Sequence, residues 1–80
     1  MITTRSQFVA RRNEFFDLLA AEKIRLDAVP SRYADQRASG GARMVKLQAA
    51  YADLCAISAI AAPIQADFDR AEDICIQWGA

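Results

Sequence analysis

From Ala42 to Trp78 the chain carries one apolar line that never loses phase. Leu47, Ala50, Leu54, Ile57, Ala61, Ile64, Phe68, Ala71, Cys75 and Trp78 follow one another at alternating steps of three and four residues, the spacing that sets side chains along one seam of a helix. The line passes through Pro63 in register. A proline inside a helix removes one hydrogen bond and crowds the carbonyl four residues back, here that of Ala59, at a cost of about 3 kcal/mol. Its flanks, Ser58-Ala59-Ile60-Ala61-Ala62 and Ile64-Gln65-Ala66, hold none of the glycine, asparagine or aspartate that a reversal calls for. A reversal there also exposes Ile60 and Ile64. The pattern therefore predicts one long helix over residues 42–78, bent at Pro63. A three-helix monomer that turns at Pro63 is the alternative.

The first helix is predicted over residues 4–28. Thr4 and Gln7 form a T-x-x-Q capping box, in which each side chain satisfies an orphan backbone N–H. Phe8, Arg12, Phe15, Leu19, Glu22, Leu26 and Val29 then follow a helical rhythm, widened by Val9 and Phe16. Arg12 and Glu22 interrupt it and are placed at its edge, with their stems over the seam and their charges in water. Pro30 ends the helix near Ala28, because a residue before proline is pushed away from α geometry. Residues 29–41 are read as a connection, in which Pro30 opens a short turn and Ser39-Gly40-Gly41 closes it. With only three glycines and two prolines in 80 residues, the chain reads as a single small all-α domain.

Length and hydrophobicity together point to self-association. Seventeen of the 80 residues are alanine, which favours helix but buries little area, and a core this small supplies only about 3–5 kcal/mol unaided. The predicted helices span roughly 37 and 55 Å at 1.5 Å per residue, so about 18 Å of the second is left uncovered by the first. The segment Cys55–Ile64 is apolar on nearly every side, the mark of a helix covered all round. A second copy is the simplest cover, giving a dimeric helical bundle with Leu54, Ile57, Ile60, Ile64, Phe68 and Trp78 as interface candidates.

Formal charge is zero, but unevenly placed. Residues 1–46 carry nine basic against five acidic side chains, and residues 47–80 one against five, a division that suits antiparallel pairing within the chain or between copies. Cys55 and Cys75 lie roughly 30 Å apart on a continuous helix, far beyond disulfide reach, so both are expected to be shielded free thiols in a reducing cytoplasm. The first residues show no signal-peptide pattern. The apolar run Leu54–Ala66 is too short to span a bilayer.

No catalytic or cofactor signature is legible. There is no histidine, so neither cysteine has the base a nucleophile needs, and the cysteine spacing matches no zinc site. The expectation is a chain without enzymatic activity, cofactor or metal; Asp69 and Asp73, four residues apart, read as a solvated face. Two charged clusters remain. Arg32, Tyr33, Arg37, Arg43 and Lys46 surround the predicted start of the second helix, where free N–H groups favour anions such as phosphate. Asp67, Asp69, Glu72 and Asp73 form an acidic patch able to dock on a basic surface. The leading expectation is a small non-catalytic interaction protein: an adaptor, assembly subunit or inhibitor docking on a larger protein. At the level of fold class alone, it is comparable to phage-encoded inhibitors of host machinery. The alternative is a nucleic-acid accessory factor binding through residues 32–46.

Overall fold

The computed structural model describes residues 1–79 and is all-helical among them: α1 (Arg5–Asp27), α2 (Ala34–Ser58) and α3 (Gln65–Gln77). α1 begins at its predicted N-cap with the capping box half formed, because the Gln7 side chain reaches Thr3 rather than the N-cap residue Thr4. Thr4 is the N-cap, its hydroxyl accepting from the Gln7 N–H at 3.2 Å, while Gln7 Oε1 accepts from the Thr3 N–H at 2.8 Å. α1 stops one residue before Ala28, as Pro30 requires.

α2 corrects the expectation on both of its ends. It starts at Ala34, eight residues before the predicted Ala42, because Ser39-Gly40-Gly41 does not break it. Gly40 serves α1–α2 packing instead: a Cβ there would stand 2.7 Å from Leu26 Cδ1, so glycine lets the two helices close on each other. Gly41 has no such role, since a Cβ there meets nothing within 4 Å. Gly41→Ala is therefore expected to raise stability by about 1 kcal/mol through helix propensity alone, read as a higher urea midpoint at unchanged slope. No gain would show that Gly41 has a role beyond the helix backbone.

At its other end α2 stops at Ser58, and α3 starts at Gln65. The helix predicted to continue through Pro63 is thus two helices, and the described residues hold three. Pro63 precedes the extended N-cap residue Ile64, and the Ile64 N–H donates to Asp67 Oδ2 at 2.9 Å. What closes the reversal comes from the far end of the sequence. The Arg5 guanidinium donates to the carbonyls of Ser58 (3.2 Å), Ile60 (2.6 Å) and Ala61 (3.2 Å). It satisfies one orphan acceptor of the last turn of α2, the Ser58 carbonyl, with two carbonyls of the following connection, and sets a cation at the negative end of the α2 dipole.

The three helices form a rod of 48 × 18 × 16 Å. α1 and α2 are antiparallel, as the Phe15–Tyr51 ring stack (centroids 6.3 Å) and the Glu22–Arg43 ion pair (3.6 Å) show. α3 returns along α2, so that Phe68 meets Phe8 (6.3 Å) and Trp78 reaches Arg43 (5.0 Å). The core is Ile2, Phe8, Phe15, Leu47, Leu54, Ile57, Phe68, Ala71 and Cys75. It fills only the half of the rod where all three helices run together: between Phe16 and Arg43 no residue is fully buried. No described helix is long and apolar enough to cross a membrane.

Candidate functional site

The residues expected at a partner interface separate in the structure. Leu54, Ile57 and Phe68 belong to the protein's own core, at 0, 1 and 7 % exposure, because α3 folds back to supply the cover that a second copy was expected to give. Ile60 is half-buried and Ile64 exposed at the reversal. Trp78 is half-buried with the Arg43 guanidinium over its ring. Nor are both thiols shielded. Cys75 is buried, and burial pushes its thiol pKa up, whereas Cys55 is exposed.

The basic cluster is likewise dispersed. It was placed around a helix start at Ala42, but Arg37, Arg43 and Lys46 all lie inside α2. Arg37 Nη1 donates to the carbonyl of Val29 at 2.6 Å and ties the α1–α2 connection. Arg43 is shared between Glu22 and the Trp78 ring. Arg32 lies 5.0 Å over its neighbour Tyr33. Ser39, Arg43, Lys46 and Trp78 line a shallow cleft of about 400 Å³ at the step where α3 ends. Within the acidic patch, Asp67 caps Ile64, Asp69 accepts from Gln65 at 2.8 Å, and Glu72 pairs with the Met1 amine at 3.1 Å. Asp73 is exposed. No group of three or more acidic, cysteine or histidine side chains comes together as metal ligands among the described residues.

Arg12 and Glu22 do more than sit at an edge. Arg12 Nη1 crosses to the Ser58 hydroxyl at 3.0 Å. Glu22, only 16 % exposed in its side chain, bridges Arg25 on its own helix and Arg43 on α2. Both interruptions of the apolar line are polar ties between α1 and α2.

The surface that sequence reasoning missed is the outer face of α2. Ala38, Val45, Ala49, Ala52, Ala56 and Ala59 are all exposed, and at 100° per residue they fall on one side of the helix, opposite Leu47 and Leu54. The strip runs from the second turn of α2 to its C-cap Ala59, roughly 32 Å at 1.5 Å per residue, and contains no charge. Exposed helix faces ordinarily carry charged and polar side chains. The outer faces of the other two helices carry charged or polar side chains, Asn13, Glu14 and Asp17 on α1 and Asp69, Arg70 and Asp73 on α3. The signal was legible as a second four-three spacing through α2, but the larger residues of the Leu47–Trp78 line overshadowed it.

Compared with protein-family models, with curated proteins and with solved structures, the chain returns no match.

Proposed function

We propose that the protein is a small non-catalytic interaction module, of the adaptor, assembly-subunit or inhibitor kind, and that it works by contact through the outer face of α2. The observation that supports this reading is the uncharged strip from Ala38 to Ala59, exposed along a helix whose opposite side already fills the core. Apolar surface left in water along a whole helix is a liability unless something covers it. Small side chains let a partner's backbone approach closely and lose little side-chain entropy on burial.

A photoactivatable residue at position 52, on the strip, is compared with one at position 13, on the outer face of α1, in cells producing the full chain. Covalent protein adducts are expected from position 52 and not from position 13. Equal yields, or none from either, would remove the basis for treating the strip as a contact surface.

A further inference from the structure

We infer that the α2–α3 reversal is a hinge across which two copies of the chain exchange α3. In the exchanged pair, α2 and α3 of each copy join into one helix, and α3 docks on the α1–α2 pair of the other. The fold itself fixes the occupant, because the groove that receives α3 is present on every copy and cannot tell its own α3 from an identical one. The exchange is independent of any partner on the outer face of α2.

The apolar line continues where the core of a single chain does not need it. Ile57 and Phe68 are both buried in that core, but the line also holds Ala61 and Ile64 between them, and these are exposed, Ile64 at 65 %. Trp78 lies against Arg43, so the antiparallel register of α2 and α3 is centred between Ile60 and Ala61. Two continuous helices in that register keep Leu54 near the level of the partner's Phe68. They add two contacts about a twofold axis, Ile57 level with the partner's Ile64 and Ala61 beside the partner's Ala61. Residues 54–66, which cross at the axis, include no charged side chain. Asp53, Asp67 and Asp69 flank the crossing and keep the mutual levels they already have in the single chain.

The hinge is fastened by groups that a continuous helix uses differently. The carbonyls of Ser58, Ile60 and Ala61, which accept from Arg5, would accept from the N–H groups of Ala62, Ile64 and Gln65, four residues on. The Ile64 N–H would leave Asp67 for the Ile60 carbonyl. Only Ala59 gains nothing, because Pro63 has no N–H to offer its carbonyl and crowds it. Arg5 and Pro63 therefore hold the chain closed from two sides of one hinge: the first rewards the reversal, and the second penalises the straight helix. α3 must leave the core to exchange, so the two forms interconvert through unfolding of the three-helix half.

The full chain and its variants are refolded from urea at about 50 µM. Sedimentation should show a monomer for the wild type and a dimer of higher helicity for Pro63→Ala. Removing two prolines from helix interiors tightens such a dimer about 10⁴-fold. Adding Arg5→Ala, which deletes a contact made only in the closed form, should tighten it about a hundredfold further. Spin labels on Ala42→Cys and Gln77→Cys, both exposed positions, separate exchange from any other dimer. They are carried on a Cys55→Ser chain whose remaining native thiol, Cys75, is buried, and that chain is diluted into unlabelled protein. In the closed form the labels lie at one level, as Arg43 and Trp78 do; in the exchanged form they stand about 50 Å apart on one helix. A Pro63→Ala monomer, or a Pro63→Ala dimer that keeps the short distance, would overturn the exchange. Arg5→Ala alone, refolded at about 1 mM, tests the hinge with Pro63 in place. Its fraction of dimer with the long distance should exceed that of the wild type, and equal fractions would overturn the exchange even if Pro63→Ala failed to fold.

Discussion

Phe15→Ala is expected to leave the chain largely unfolded at room temperature. Phe15 is 0 % exposed and stacks on Tyr51 across the α1–α2 seam. Truncating a buried phenylalanine to alanine costs about 3–5 kcal/mol in lost transfer and residual cavity. A lone core in a chain of this size supplies about the same, so one substitution removes most of the margin. Its neighbour Phe16 is the control. It is 50 % exposed and touches Tyr51 only from outside, at 5.6 Å, so Phe16→Ala should cost about 1 kcal/mol, the scale of an aromatic pair with partial burial. Circular dichroism through a urea titration reads both. A Phe15→Ala variant as stable as Phe16→Ala would mean that the seam is not packed as described.

Arg5→Ala carries the second large effect, and from a position where burial alone predicts almost none. Arg5 is exposed, and exposed substitutions usually stay within about 0.5 kcal/mol. Yet its guanidinium holds three carbonyls of the α2–α3 reversal, and hydrogen bonds to a charged group are worth about 1.5–3 kcal/mol. A loss at the lower end of that range is expected, since water replaces part of the interaction at an exposed site. Arg5→Lys should recover only a fraction, because an ammonium cannot present two nitrogens in a fixed fork. Urea unfolding gives the total, and Trp78 fluorescence reports whether α3 loosens first. A change no larger than an ordinary surface substitution would show that the reversal is held by its own local turns.

The same arginine explains why one part of the fold was legible and another was not. The start of α1 and its stop before Pro30 follow from neighbours within four residues, Thr4 with Gln7 and Ala28 with Pro30, and the structure agrees. The end of α2 depends on a side chain 53 residues away. The apolar line also concealed the break. Ile57 and Phe68 are eleven residues apart, close to three helical turns, so two separate helices that each face one core reproduce the register of a single helix. The glycine pair misled in the opposite sense: Gly40 reads as a stop but answers to Leu26, on a helix the sequence alone does not place beside it. Of the candidate surfaces, the charged clusters were visible as composition, but their ion pairs and caps depend on where α3 lands. The outer strip of α2 becomes distinct only once its opposite side is known to be buried.

The confinement of the core to one half of the rod makes cohesion unequal along its length. Where α3 runs beside α1 and α2, any opening must expose Phe8, Leu54 and Phe68 together, so that half responds as a single cooperative unit. The other half is a two-helix arm tied by the polar contacts of Glu22 and Arg37 and by the close approach at Gly40. Its tip can fray and re-form without disturbing the core, so local opening there costs less than unfolding of the whole chain. The α2 strip spans both regimes, with Ala56 and Ala59 anchored to the firm end and Ala38 on the yielding one. A partner seating along it would rest on the three-helix half at Ala56 and Ala59 and on the two-helix arm at Ala38.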